Sequence, residues 1–231
     1  MAVIPWPLNH TPRPVPPAAP GSARAAAAPE DVAAMAAALI QSRQTILPKR
    51  LAAPGPGACE LAQILSAASH APDHGQLVPW RFVLVPEAAR PALADVFALA
   101  LRERDPAATQ AQAEQAREKA YRAPVLMLVV VNGQCGDPGI DLSERLVSAG
   151  CAVQNMLLMA TAQGYGSALT SGKALTSDGL RGLFQLTAWE QALCFVSIGT
   201  VQSRKAVRAR PAADSYVSTL DAQLGVVLPG F

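Results

Sequence analysis

Helix-like stretches and a few short apolar runs alternate along the chain and predict its elements. The run at residues 123–131 is apolar on both faces, which is typical of a central strand that is covered on both sides. Shorter runs at 80–85, 167–170 and 192–200 predict three more strands. Because the strands are few and the helices between them are uneven in length, the pattern favours an α+β fold over a strictly alternating parallel sheet.

Apolar positions spaced three and four residues apart predict the helices. Residues 141–163 form the longest one and are apolar nearly all round, so we expect a core helix there. A first helix is expected to begin at Pro29 and to be stopped by Pro48. One face of this helix is expected to carry Val32, Met35, Leu39 and Ile40. Further helices are expected in a segment that ends by Ala71 and at 87–104, 106–121 and 178–184.

Proline content separates the two ends of the chain from its middle. Eight of the 20 prolines lie in the first 30 residues, which is typical of a solvated, polyproline-like arm. We therefore predict a flexible Pro/Ala-rich arm at 1–29, one folded domain at 30–205 and a C-terminal extension at 206–231. The basic residues near the start of the extension indicate a segment that needs a surface to lie on.

Composition narrows the choice of partners. The 231 residues are 51% hydrophobic with a net charge of +2, which excludes global disorder and predicts neither a nucleic-acid partner nor a membrane partner. Four dispersed cysteines without a C-x-x-C pair favour reduced thiols and a cytoplasmic location. Pro72 interrupts a helical pairing of His70 with His74, and the chain has only three histidines, so no metal site is expected.

Four polar segments at element ends are the candidates for chemistry. They are Arg43-Gln44-Thr45, the loop 70–80, the segment 170–173 and Arg204-Lys205. One interpretation is four ordinary polar loops. The other is an anion site with planar neighbours, since Arg and a hydroxyl hold phosphate while His, Gln and backbone amides meet the polar edge of a ring. A phosphorylated flavin has that chemistry.

The first two segments resemble motifs of the flavin-dependent nitroreductase family. Residues 43–45 resemble the R-R-S or R-x-S motif that closes the family's first helix. Residues 72–80, P-D-H-G-Q-L-V-P-W, resemble the family's P-S-x-x-N-x-Q-P-W segment. In a subgroup of small bacterial NAD(P)H nitroreductases, R-A-P-D-H stands where this chain has H-A-P-D-H at residues 70–74.

Three more segments extend the resemblance in the same order along the chain. Residues 48–56 resemble the subgroup's P-K-R-L followed by A-P-G-P. Residues 163–172 resemble Q-G-[FY]-G followed by W-[RK]-[ST]-G, and Gly199-Thr200 with Arg204 resembles the close of the family's last strand. The likeness covers roughly residues 32–205, and five weak motifs in one order are fairly specific together.

The resemblance implies a central, mainly antiparallel sheet flanked by helices, in an intertwined homodimer with two FMN sites at the interface. The helix around Cys151 to Met159 would be buried in the dimer seam, and the C-terminal extension would pack on the dimer surface. By position, the implied cofactor-binding residues are Arg43, Gln44, Thr45, His70, His74, Leu169, Thr170, Ser171, Gly172 and Arg204.

The same resemblance implies a role for each group of residues. Arg43 and Thr45 would meet the FMN phosphate and ribityl chain, with Arg204 adding charge. Thr170 to Gly172 would lie near flavin N5. His70 and His74 would reach the flavin's edge from the other subunit. No side chain is expected to be catalytic, because flavin N5 carries the hydride, and no metal is expected.

The implied activity is FMN-dependent oxidation of NAD(P)H with ping-pong hydride transfer to a small-molecule acceptor, a nitroaromatic or a quinone. Two alternatives stay open: a flavoenzyme of the same fold with another chemistry, such as dehydrogenation or flavin modification, and a noncatalytic flavin-binding protein. Three departures bear on substrate choice: Gln44 replaces the second Arg, Leu169 replaces a frequent Trp, and Val78 replaces the usual Gln.

Overall fold

The computed structural model describes residues 28–221, 223 and 225–229. The predicted arm at 1–29 therefore lies almost wholly outside the described residues. The described residues from 39 onwards form one compact unit, which contains the sheet. The helices are α1 (Pro29–Ser42), α2 (Ala58–Ala67), α3 (Arg90–Arg104), α4 (Gln110–Glu118), α5 (Leu142–Ala162) and α6 (Asp178–Leu183).

A mainly antiparallel sheet organises the fold. Its strands are β1 (Leu51–Ala52), β2 (Trp80–Leu84), β3 (Val125–Asn132), β4 (Gly166–Thr170) and β5 (Glu190–Val201). They lie in the order β1-β5-β3-β2, and β4 also pairs with β5. All four strand pairings are antiparallel, so the α+β fold class predicted from the sequence is confirmed.

β3 is the buried centre of this sheet, as its apolar run predicted. Met127, Val129 and Val131 pack in one cluster with α2 and α5, while the alternate side chains pack in a second cluster with α3 and α6. Helices thus cover both faces of the strand, which is why it needs no polar face.

The apolar face predicted for α1 is not buried within this chain. No residue of α1 is buried, and Val32 and Met35 are 52% and 70% exposed. The Ala-rich sequence with Glu30 and Asp31 in the first turn favours a helix without burial, through propensity and the helix dipole. The helix also ends at Ser42, well before Pro48, because the backbone of Ile46 pairs with β4 instead.

α5 is a core helix, as predicted, but the chain itself buries much of the stretch assigned to a dimer seam. Ala152, Val153, Met156 and Leu157 are buried within one chain. The sheet and α2 cover these side chains, so only the half-buried and exposed positions of Cys151 to Met159 are open to a partner, and the dimer seam stays a prediction.

The C-terminal extension contains a hairpin that the sequence did not predict, formed by β6 (Ser218–Asp221) and β7 (Val226–Pro229). Its Leu220 and Val227 are exposed. Within the described part of the chain, no helix has the length and apolarity needed to cross a bilayer. The same residues place no group of three or more His, Cys, Asp or Glu side chains where they could hold a metal ion.

Candidate functional site

The segment Arg43-Gln44-Thr45 lies against the start of β4. Thr45 forms a parallel bridge with Ser167, and the backbone N–H of Ile46 donates to the Ser167 carbonyl over 2.9 Å. In turn Gly166 pairs with Gly199 near the end of β5. Arg204 follows β5 by a few residues, so the structure brings residues 43–45 and the chain leading to Arg204 to the same end of the sheet.

Gly166 makes this close approach possible. A Cβ at that position would lie 2.7 Å from Val201 Cγ2 and 2.8 Å from Leu51 Cδ2, both below any real contact distance. The absence of a side chain therefore lets β4 meet β5 and the extended 43–46 segment at once.

Three polar groups at this end of the sheet have unused bonding capacity. Among the described residues, no hydrogen bond or ion pair involves the guanidinium of Arg43 or Arg204. Ser167 is 1% exposed, and its hydroxyl is a buried polar atom without a partner in the described part of the chain. Two unpaired cations beside extended backbone fit a phosphate group, which binds Arg through charge-assisted hydrogen bonds.

The other end of β4 opens onto an apolar recess of about 270 Å³. The residues that line it are Gly150, Val153, Leu169, Ser171, Leu193 and Cys194. Burial raises the pKa of the Cys194 thiol to about 11, so this sulfur stays protonated and uncharged at neutral pH. The recess therefore has an uncharged wall next to the exposed residues Ser171 and Gly172.

The loop that carries the histidines has an unusual backbone. Gly75, Gln76 and Val78 have φ values of 71°, 52° and 46°, in the left-handed region that a β-branched Val rarely adopts. The Asp73 carboxylate accepts a hydrogen bond of 2.6 Å from the Val78 backbone N–H. Strained backbone of this kind persists where the surroundings hold it, and it is common at functional sites.

His74 is held by α5, and His70 is not. The Nδ1 atom of His74 lies 2.7 Å from Oε2 of Glu144, in the first turn of α5. His70 is exposed at the end of a 3₁₀ turn, and no hydrogen bond among the described residues involves its ring. No hydrogen bond or ion pair in that part of the chain joins either histidine to the 43–45 segment, so their place at a flavin stays a prediction.

Arg145, the residue after Glu144, holds the loop 135–140, which packs against the histidine loop. Arg145 is 1% exposed, and it donates to the carbonyls of Ile140, Cys135 and Asp137 over 3.0, 2.6 and 2.7 Å. Burial raises the pKa of the Cys135 thiol even though the guanidinium lies 3.1 Å from its sulfur. The thiol is thus a packing group here, and its sulfur lies 3.8 Å from the carbonyl oxygens of both Leu77 and Asn132.

Sequence reasoning missed Ser167, Glu144 and Arg145. A signal for the last two exists, since a charged Glu-Arg pair opens a helix that is otherwise apolar. No sequence signal marks Ser167, because its role depends on the pairing of β4 with residues 45–46.

Comparison with known proteins agrees with this arrangement. A sequence profile of the nitroreductase family matches residues 40–200. A "Putative NAD(P)H nitroreductase" of Haemophilus influenzae is 33% identical over 152 residues, which are 66% of this chain and 82% of the relative.

Two solved structures share the fold. A nitroreductase-like family protein from Bacillus cereus superposes with a TM-score of 0.69 at 19% identity, covering 80% of this chain and 96% of that one. The FMN and NADPH-dependent nitroreductase NfnB from Sphigopyxis sp. strain HMH gives 0.63 at 16% identity, covering 79% and 97%. The resemblance carried by the five motifs is confirmed, and this chain belongs to the nitroreductase family.

Proposed function

We propose that the chain binds FMN and uses it to oxidise NAD(P)H and reduce a nitroaromatic or quinone acceptor, with donor and acceptor taking turns at one site. The observation that carries the proposal is the meeting of Arg43, Thr45 and the chain leading to Arg204 at one end of β4, with both guanidinium groups unpaired among the described residues. When bound, FMN supplies two-electron transfer through its N5.

Arg43 and Arg204 would hold the phosphate, and the Thr45 hydroxyl would bond to the phosphate or the ribityl chain. Gln44, which replaces an Arg of the family motif, offers an amide in place of a charge. Extended backbone at residues 43–46 suits this role, because its position is fixed by the Ile46–Ser167 hydrogen bond. The anchor is therefore ordered before the ligand arrives.

Leu169, Thr170, Ser171 and Gly172 would contact the flavin ring beyond the other end of β4. The recess beside them excludes water from one face through apolar side chains, and the protonated Cys194 adds no charge. Leu169 is 45% exposed, so it presents an apolar edge to whatever stacks there. The proposal assigns no catalytic side chain: the residues bind, orient and shield the reactants.

A homodimer would complete the site. Val147, Gly150 and Gln154 form an exposed stripe on α5 at helical spacing, and a Cβ at Gly150 would meet nothing within 4 Å. We propose that this stripe contacts the partner, that the exposed hairpin of the 206–231 extension packs on the dimer surface, and that His70 and His74 serve the partner's flavin.

The four free cysteines support a reducing compartment, and we propose the cytoplasm. The activity is tested by following NADH and NADPH oxidation by the FMN-loaded protein with and without a quinone or a nitroarene. Oxidation that accelerates with acceptor, with parallel double-reciprocal plots, supports the proposal. FMN binding without pyridine-nucleotide oxidation would instead favour a noncatalytic flavin protein or another flavin chemistry.

The phosphate anchor is tested by Arg43→Ala. Loss of a charge-assisted hydrogen bond worth roughly 1.5–3 kcal/mol should raise the FMN dissociation constant about 10- to 150-fold. Arg104→Ala, which removes an exposed guanidinium at the end of α3, is the matched control and should leave FMN affinity unchanged. Equal affinities in the two variants would remove Arg43 from the phosphate.

A further inference from the structure

The contact between His74 and Glu144 carries a further inference, which rests on the proposed function. We infer that Glu144 is a positioning residue that sets the tautomer and orientation of the His74 ring towards the bound ligand. The contact spans 70 residues of sequence and joins a strained loop to the first turn of α5 at 2.7 Å. Both side chains are largely exposed, so ligand access to the ring stays open.

The chemistry follows from which ring nitrogen is occupied. A carboxylate accepts hydrogen bonds and cannot donate one, so neutral His74 must carry its proton on Nδ1 to bond with Glu144. Nε2 is then a lone-pair acceptor, because the partner of one ring nitrogen fixes the state of the other. The ring therefore recognises an N–H donor of an amide or imide type.

The loop that packs against the histidine loop is held in place independently. Arg145 ties the carbonyls of Cys135, Asp137 and Ile140 to α5. That loop packs closely on the histidine loop: a Cβ at Gly75 would lie 3.0 Å from Ile140 Cδ1, and one at Gly136 would lie 2.4 Å from Leu77 Cδ2. Two consecutive residues in the first turn of α5 thus act together: Arg145 holds the loop 135–140, and Glu144 holds the His74 ring.

An amide or imide N–H donor has two sources at such a site. One is the imide N–H of the flavin's pyrimidine ring, and the other is the carboxamide of NAD(P)H. The FMN dissociation constant and the KM for NAD(P)H distinguish these sources. If the ring binds the flavin imide, loss of Glu144 changes the FMN dissociation constant, and if it binds the carboxamide, the loss changes only the KM for NAD(P)H.

The tautomer is tested directly by ¹⁵N-resolved NMR of the histidine rings at alkaline pH, where imidazole is neutral. The chain has three histidines, so a His74→Asn variant assigns the resonances. We expect the Nδ1–H form in the unmodified chain, a shift to Nε2–H in Glu144→Ala, and partial rescue in Glu144→Gln, whose carbonyl can still accept. A His74 ring that is mainly Nε2–H before any substitution would overturn the inference.

The functional arm uses the same variants with FMN titration and steady-state kinetics. Loss of one hydrogen bond should raise either the FMN dissociation constant or the KM for NAD(P)H about 5- to 10-fold in Glu144→Ala, with kcat changed less. Glu118→Gln, which removes an exposed carboxylate that lies at the end of α4 and pairs with Arg122, is the control. The inference would be contradicted if both the FMN dissociation constant and the KM for NAD(P)H of Glu144→Ala lay within about twofold of those of this control.

A double variant distinguishes positioning from helix stabilisation. If Glu144 acts only through His74, the double variant Glu144→Ala, His74→Asn should bind FMN and NAD(P)H no more weakly than His74→Asn alone. Additive losses would assign Glu144 to the helix instead. The NMR arm needs no FMN, so failure of the chain to bind FMN would refute the proposed function while the tautomer comparison still decides the role of Glu144.

Discussion

Replacement of Arg145 by Met tests how strongly one buried cation holds the loops around the site. Met preserves the length and much of the volume of the side chain but donates no hydrogen bond. The substitution leaves the carbonyls of Ile140, Cys135 and Asp137 without their donors, in a region where Arg145 is 1% exposed.

The magnitude follows from how deeply each bond is buried. The bond to Ile140 is buried, and loss of its donor costs about 1–3 kcal/mol. The bonds to Cys135 and Asp137 are part-buried, so water can partly satisfy these carbonyls when the donor is lost. The loss of each bond should therefore cost about 0.5–1.5 kcal/mol. Relief of a buried charge offsets part of this loss. We expect a net loss of about 2–4 kcal/mol in the free energy of unfolding.

The assay is urea unfolding followed by far-UV circular dichroism, with FMN affinity measured on the folded variant. Arg102→Met is the matched control, because that exposed guanidinium bonds only one side chain among the described residues, Gln110, and should change stability by less than about 1 kcal/mol. A loss for Arg145→Met no larger than the control's would refute the reasoning. Full rescue by Arg145→Lys would also refute it, because a single ammonium lacks the planar fork that reaches three carbonyls.

Two further predictions concern the sheet and the recess. Burial raises the pKa of Glu190, but hydrogen bonds from Arg81 and from the Thr187 backbone N–H, together with the charge of Arg81, outweigh it and leave the folded pKa below its ordinary value of 4.5. The pair therefore stabilises the fold fully above pH 4.5 and loses this stabilisation as pH falls through the lower folded pKa. In Glu190→Gln, the free energy of unfolding should therefore fall less steeply at acid pH than in the unmodified chain. An unchanged pH dependence below pH 4.5 would contradict this prediction. Leu169→Trp should fill part of the 270 Å³ recess and lower kcat/KM for bulky acceptors several-fold in steady-state assays, with a smaller change in FMN affinity, which the phosphate anchor dominates. Unchanged acceptor selectivity would place the acceptor elsewhere.

Local patterns predicted the elements whose environment they determine. β3 was predicted because six consecutive buried positions allow no polar side chain, and α5 because its apolar positions recur at helical spacing. The exposed face of α1 was not predictable in this way, since an Ala-rich amphipathic pattern looks the same whether or not a partner covers it. The turn away from helix at residue 43 depends on β4, more than 120 residues later.

The residues of the candidate site likewise fall into two groups, those that a local sequence pattern predicts and those that depend on the fold. Arg43, Thr45 and Arg204 were predicted because short motifs carry their spacing, and the structure brings their segments to one end of the sheet. The charged pair at the start of α5 marks Arg145 in the sequence but does not show what the guanidinium binds, because its partners are backbone carbonyls. Glu144 escaped notice because its partner, His74, lies on a loop whose path only the fold reveals.

Anaerobic titration of the FMN-loaded protein with NADH and NADPH, followed by visible absorbance, tests the central claim most directly. The protein should bind FMN saturably, and at least one nicotinamide should bleach the oxidised flavin stoichiometrically, with colour restored by a quinone or nitroarene. A chain that takes up no FMN, or whose bound flavin neither nicotinamide bleaches, would contradict the account.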